Sequence, residues 1–146
     1  MARTLKKLAV LLCVLTGTAG MACPADAALA IIGNRANPLE GISASQVAMI
    51  YLGKSTEFPD GHRVVAIDQY RRSPARAEFY HKVVGMGEDR VKAHWAKYMF
   101  SGKGEPPQAV GGNEAVKRWV ARHPDGLGYV DGKALDPSVK VLLIVP

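Results

Sequence analysis

Residues 64–84 read VVAIDQYRRSPARAEFYHKVV and contain the signals of a buried strand, a turn and a capped helix. Residues 64–67 are all apolar instead of alternating with polar ones, which is typical of a strand covered on both faces, as in a parallel sheet. A polar loop is expected over residues 68–72. Ser73 has the side chain of an N-cap, and Pro74 suits the first helical position, where a missing N–H costs nothing. The stretch therefore predicts a strand followed by a helix.

The rest of residues 28–146 continues this alternation of strands and helices. Strands are expected at 29–32, 127–130 and 139–145, helices are expected to begin at Ser43, Ser73, Glu88 and Asn113, and residues 100–110 are expected to form a loop. Buried helix faces are expected at Val47, Ile50 and Tyr51, at Phe79, Tyr80, Val83 and Val84, at Val91, Trp95, Tyr98 and Met99, and at Val116, Trp119 and Val120. This order favours a single α/β sandwich, a largely parallel sheet flanked by helices.

The first 27 residues have the composition of a secretory signal peptide. Three basic residues precede an apolar stretch from Leu8 to Leu15, and small residues near Ala27 fit a cleavage site. Cleavage after Ala27 would leave residues 28–146 in the periplasm or outside the cell. The alternative is that Cys23 becomes the lipidated first residue of a lipoprotein, which would attach the protein to a membrane. No cysteine follows Cys23, so no disulfide is expected.

Charge and residue types disfavour several functions. Residues 1–27 carry three basic side chains and one acidic one, so the formal net charge of +6 falls to about +4 from residue 28 onward. No basic stripe interleaved with aromatic residues is visible, so nucleic acid is not an expected partner. The four histidines fall on separate expected elements, which disfavours a metal site. No nucleophile motif is present, so neither an enzyme nor a cofactor is expected.

Two groups of motifs follow each other along the chain: IYLGK at 50–54 with FPDG at 58–61, and GNEAV at 112–116 with PDGLGYV at 124–130. In this order they resemble the phosphate-type solute-binding proteins of ABC transporters. In that family a helix end and turn come first, and a capped helix, a Pro-Gly turn and an apolar strand follow. The resemblance implies one lobe of a type 2 periplasmic binding protein over residues 28–146. Complete members of the family have two lobes, which close on the ligand.

The resemblance also implies an oxyanion site at the turn before the second helix. Ser73 matches the serine of the family's Ser-Gly-Thr turn, whereas Pro74 and Ala75 replace the glycine and the threonine. Unpaired N–H groups at a helix N-terminus and the arginines of this turn favour an anion. The candidate ligand-binding residues are therefore Ser73, Arg71, Arg72 and Arg76. The alternative is that Ser73 only caps the helix and the arginines are solvated.

Two functions remain open at this point. The first is binding of phosphate or a similar small oxyanion, weakly by one chain or more tightly in a homodimer that supplies a second wall. The second is a non-binding adaptor or interaction module of the cell envelope that contacts another envelope protein. Residues 111–113 begin the last expected helix, and this second N-terminus either faces the ligand or serves as a packing turn.

Overall fold

The computed structural model describes residues 28–146 as a sheet with helices on both faces; the expected signal peptide and Cys23 lie outside the described residues. In chain order the elements are β1 (Leu29–Gly33), α1 (Ala44–Tyr51), β2 (Val65–Gln69), α2 (Pro74–Phe79) with a π-helical continuation (Tyr80–Val84), α3 (Glu88–Phe100), β3 (Gln108–Gly111), α4 (Asn113–Arg122), β4 (Gly126–Asp131) and β5 (Lys140–Val145). A short 3₁₀ turn (Gly132–Ala134) follows β4. Within residues 28–146, no helix has the length and apolar character needed to cross a membrane.

The five strands form one sheet in the order β3-β2-β4-β1-β5. Strand β2 pairs in parallel with β3 and β4, whereas β1 pairs antiparallel with both β4 and β5. Four strands therefore point the same way and only β1 points the opposite way. The predicted α/β class with a largely parallel sheet is confirmed. The reversed direction of β1 was not predicted, because all five of its residues are buried and its sequence does not show which way its neighbours run.

Helix α1 begins and ends where the sequence predicted. The Ser43 side chain accepts a hydrogen bond from the N–H of Gln46 at 3.2 Å, and the Gln46 side chain accepts one from the N–H of Ser43 at 2.9 Å. This reciprocal capping box satisfies two of the donors that a helix start leaves unpaired. Gly53, at φ 72°, follows the last turn in the left-handed conformation that favours glycine.

The sheet has a hydrophobic cluster on each face. On one face α1, α2 and α3 pack over a larger cluster, in which the rings of Phe79 and Tyr129 stack at 4.0 Å. On the other face α4 covers a smaller cluster, which includes Val116 and Val120. Helix α4 approaches β4 so closely that a Cβ on Gly128 would lie 2.6 Å from Cγ1 of Val116. Glycine at position 128 therefore sets the distance between α4 and the sheet.

Three local predictions are wrong. The expected loop at 68–72 begins two residues later, because Asp68 and Gln69 belong to β2 and are only 5 % and 1 % exposed. The expected loop at 100–110 overlaps β3, an edge strand whose first two residues are exposed and lack an apolar pattern. Met99 is 51 % exposed and does not lie on the buried face of α3, which buries Val91 and Trp95.

The start of α4 also differs from the prediction. Gly112 is the N-cap, Asn113 is the first helical residue, and no side chain caps this helix. The Asn113 side chain instead accepts hydrogen bonds from the Gln69 side chain and from the N–H of Asp131. Asn113 therefore serves long-range contacts rather than the local cap that its residue type suggested.

Candidate functional site

The carboxyl ends of β2, β3 and β4 meet at one edge of the sheet, because these three strands run in parallel. Residues 70–73 connect β2 to α2 at this edge, and Gly112 connects β3 to α4. The two connections touch, since the N–H of Tyr70 donates to the carbonyl of Gly111 at 3.0 Å. The N-termini of α2 and α4 are thus neighbours, and this carboxyl edge is where open α/β sheets bind their ligands.

Tyr70 is exposed to solvent between the N-termini of α2 and α4. Its side chain is 50 % exposed, and a Cβ on Gly112 would lie 3.4 Å from its ring. The ring therefore covers the Gly112 backbone and forms part of the surface of the carboxyl edge. Sequence reasoning did not select Tyr70, because an exposed aromatic residue in a polar loop gives no pattern.

The buried side chain of Gln69 holds the two helix starts together. Its amide nitrogen donates to the side-chain oxygen of Asn113 and to the carbonyl of Tyr129, both at 2.9 Å. Its amide oxygen accepts from the Ser73 hydroxyl at 2.6 Å. One side chain thus joins α2, α4 and β4, and its position two residues after the apolar run 64–67 is the signal that could have identified it.

The neighbouring Asp68 carboxylate is buried and accepts hydrogen bonds from several directions. The hydroxyl of Tyr80 donates to it at 2.8 Å, the hydroxyl of Tyr129 donates as well, and Arg76 Nε lies at 3.2 Å. Burial, followed by the nearby Asp68 charge, raises the pKa of both Tyr80 and Tyr129 far above the ordinary value. Both phenols therefore keep their protons and act as donors to Asp68.

Arg76 belongs to this buried cluster and is not free to bind a ligand. It is buried, and its guanidinium lies 4.7 Å from the centre of the Tyr80 ring. One nitrogen contacts Asp68 and another contacts Glu88. The sequence prediction placed Arg76 correctly at the turn, but it missed both carboxylates, which neutralise its charge.

Ser73 caps α2 with its hydroxyl fully engaged as a donor. Its oxygen accepts from the N–H of Arg76 at 3.3 Å, and its proton points to Gln69. Pro74 supplies no N–H at the next position. Ser73 therefore caps α2, and its proton is donated to Gln69. The expectation that the arginines of the turn are solvated is wrong for Arg76, which is buried.

Arg71 and Arg72 are the exposed arginines of the turn. Arg71 Nε lies 3.2 Å from Glu88 Oε1. Arg72 is exposed and makes no hydrogen bond or ion pair with any of residues 28–146. Burial opposes ionisation of Glu88, but Arg76 and Arg71 outweigh it and lower the pKa of its carboxyl. Glu88 therefore stays charged at neutral pH beside the two arginines.

The first turn of α4 supplies the remaining donors. No side chain caps this helix of ten residues, and its first N–H groups have no partner inside the helix. The helix dipole places partial positive charge at the same point. At the carboxyl edge, Arg71 and Arg72 are exposed, the start of α4 is half-buried, and Ser73 and Arg76 are buried. In the described part of the chain, no three His, Cys, Asp or Glu side chains are grouped so as to hold a metal ion.

Several solved structures share this α/β fold, with a mostly parallel sheet between helices. The chain is similar to an ABC-type phosphate transport receptor from Vibrio cholerae, with a TM-score of 0.62 and 21 % identity over 78 % of this chain and 44 % of the receptor. It is equally similar to a phosphate ABC transporter substrate-binding protein with bound phosphate from Clostridium perfringens, with a TM-score of 0.62 and 21 % identity over 78 % of this chain and 43 % of that one.

A third similar structure is PstS from Borrelia burgdorferi, with a TM-score of 0.58 and 12 % identity over 79 % of this chain and 46 % of that one. The chain therefore spans less than half of each of these proteins. No protein-family model matches the chain, and no curated protein does. The fold is that of one lobe of the phosphate-type solute-binding proteins, as the sequence resemblance predicted.

Proposed function

We propose that this protein binds phosphate or a similar small oxyanion at the carboxyl edge of its sheet. The observation that carries the proposal is the meeting of two helix N-termini beside the exposed Arg71 and Arg72. Two of the solved structures with the same fold are named as phosphate receptors or phosphate-binding components of ABC transporters. The proposed role is that of a solute-binding component, which holds its ligand without changing it covalently.

The proposed ligand contacts differ in part from the set that the sequence suggested. Arg72, Arg71 and the N–H groups at the start of α4 would contact the oxyanion. Ser73 and Arg76 would support the turn from below, because their polar groups already have partners in the chain. A charge-assisted contact to a planar guanidinium suits the oxygens of phosphate or sulfate.

One lobe leaves the ligand open to water on its far side. Ligand sites usually bury most of the ligand surface, and water competes for every donor that stays exposed. We therefore expect a Kd on the order of a millimolar for phosphate alone. A homodimer or another envelope protein that covers the carboxyl edge would supply the second wall and raise the affinity.

The proposed location is the periplasm or the space outside the cell, after cleavage of the expected signal peptide. The first 27 residues support this proposal by their composition, with Cys23 as the alternative point of membrane attachment. A binding component of a transporter would meet its solute in that compartment.

A second candidate is an adaptor that keeps the fold of the lobe and has lost the ligand. The engagement of Ser73 and Arg76 inside the chain favours it, since the Ser73 hydroxyl donates to Gln69 and the buried Arg76 is paired with two carboxylates. Pro74 removes a further N–H from the same turn.

Nuclear magnetic resonance separates the two candidates. In a ¹H–¹⁵N titration of the purified protein with inorganic phosphate at low ionic strength, we expect saturable shifts of the Asn113 and Glu114 amides. Arg72→Gln should weaken this binding about tenfold, because a charge-assisted contact is lost. Arg122→Gln is the matched control: it removes the same charge at the other end of α4, about 15 Å away.

Each result of the titration selects one candidate. Saturable shifts that Arg72→Gln weakens and Arg122→Gln leaves unchanged would support oxyanion binding. Equal effects of the two variants would indicate a general charge effect and contradict the proposed site. If the amides of residues 112–114 do not move at tens of millimolar phosphate, well above the expected Kd on the order of a millimolar, the oxyanion function is wrong and the adaptor is favoured.

A further inference from the structure

We propose that Glu88 is a built-in competitor of the ligand, whose carboxylate occupies the Arg71 guanidinium that an oxyanion would contact. This inference rests on the proposed oxyanion function and adds a regulatory element to the same site. It makes the free protein an autoinhibited form, in which binding requires Glu88 to move away.

The Glu88 carboxylate contacts Arg71 and Arg76 at the same time. Glu88 Oε1 lies 3.2 Å from Arg71 Nε, and Glu88 Oε2 contacts Arg76 Nη1. One carboxylate therefore places one oxygen on each of two guanidinium groups. Phosphate and sulfate present pairs of oxygens in the same manner, and arginine binds them with the same donors that it offers to a carboxylate.

Glu88 can leave the two arginines without exposing a buried charge. Arg76 keeps Asp68 at 3.2 Å, and this partner is buried. The Glu88 side chain is 46 % exposed and therefore meets solvent as soon as it turns away. Ion pairs at such exposed positions contribute little to stability, whereas removing the only partner of a buried charge is costly.

The position of Glu88 in the chain also allows its side chain to move. It is the first residue of α3, and Gly87 before it has no side chain that fixes it with a hydrogen bond. A Cβ on Gly87 would meet no atom within 4 Å, so this approach to α3 is not closely packed. The Glu88 side chain is 46 % exposed, so it can turn into solvent while α3 stays in place, and its negative charge repels an incoming anion until it does so.

The test compares phosphate affinities of variants of the purified protein. Glu88→Gln should lower the Kd for inorganic phosphate about fivefold, because the amide neither competes as strongly for Arg71 nor repels the anion. Glu78→Gln is the matched control, since it removes the same charge from another half-exposed pair, with Lys82 at 2.6 Å. Its affinity should stay within about twofold of the unchanged protein.

A double variant locates the effect. Adding Arg71→Gln to Glu88→Gln should abolish the gain, because the guanidinium that Glu88 would release is then absent. Thermal unfolding shows whether each variant is folded. If Glu88→Gln does not fold, Glu88→Asp keeps the charge on a side chain too short to reach both arginines, and it should bind about twofold more tightly.

The outcomes separate this inference from the proposed function. If phosphate binds the unchanged protein, Glu88→Gln and Glu78→Gln with equal affinity, Glu88 is only a structural ion-pair partner and the inference is overturned, while the proposed function stands. If phosphate binds none of the proteins, including Glu88→Gln, the oxyanion function itself is wrong. A gain in Glu88→Gln that survives removal of Arg71 would also overturn the inference.

Discussion

Replacing Gln69 by leucine should remove the link between α2 and α4. Gln69 is 1 % exposed, and its side chain makes hydrogen bonds with Ser73, Asn113 and Tyr129. Leucine has a similar volume and stays buried, so Gln69→Leu removes the polar contacts without creating a large cavity. The change therefore isolates the contribution of this one amide.

The expected loss in the free energy of unfolding follows from the groups that lose a hydrogen bond. The Ser73 hydroxyl is buried and would have no acceptor, which costs about 1–3 kcal/mol. The Tyr129 carbonyl would lose its side-chain donor, at about 1 kcal/mol. Asn113 keeps one partner, since its oxygen still accepts from the N–H of Asp131 at 3.1 Å. We therefore expect Gln69→Leu to lower the free energy of unfolding by about 2–4 kcal/mol.

The assay is thermal unfolding followed by circular dichroism. For a domain of this size, about 4 °C of Tm corresponds to each kcal/mol, so the Tm should fall by about 8–16 °C. Gln108→Leu is the matched control, because Gln108 is exposed on the neighbouring strand β3. It should change Tm by less than about 2 °C. Equal Tm values for Gln69→Leu and Gln108→Leu would refute the role assigned to Gln69.

Two further predictions concern α4 and its ion pair. Gly128→Ala should lower the free energy of unfolding by about 1–3 kcal/mol, because the added Cβ would lie 2.6 Å from Val116. Gly41→Ala is the control, since its Cβ would be in ordinary contact, 3.4 Å from the Leu142 carbonyl oxygen; equal urea midpoints for the two variants would contradict the prediction. Asp136 lies 2.7 Å from Lys117, whose hydrogen bond lowers the pKa of the Asp136 carboxyl. The ion pair therefore stabilises the fold at pH values above the unfolded pKa near 3.8, and this stabilisation is lost as the pH falls below that value. Asp136→Asn should therefore lower Tm near neutral pH and have a much smaller effect near pH 2; an effect of constant size at both pH values would contradict the assignment.

Predictions from local signals were the most accurate. The Ser43 capping box, the Ser73 cap with Pro74 and the apolar faces of α1 and α4 depend on residues within one helical turn of each other, and the structure has them where expected. The short strand β3 escaped prediction because an edge strand with exposed residues carries no apolar pattern.

Polar residues of the candidate site were predicted less well, since their partners are distant in sequence. Asp68 and Gln69 were assigned to a loop because they are polar, yet they are buried in β2. The Asp68 carboxylate accepts hydrogen bonds from the hydroxyls of Tyr80 and Tyr129, which lie 12 and 61 residues further along the chain. No local pattern can show that such donors will arrive at one carboxylate.

The sequence alone determined the alternation of strands and helices, the positions of the main caps and the resemblance to a solute-binding lobe, because these depend on periodicity and on short spacings. The tertiary structure alone decided which arginines of the turn stay available. Packing of α3 brings Glu88 to Arg71 and Arg76, and the end of β2 brings Asp68 to Arg76, while Arg72 faces solvent. The charge of an arginine is set by its residue type, but its freedom to bind an anion depends on the carboxylates that folding places beside it.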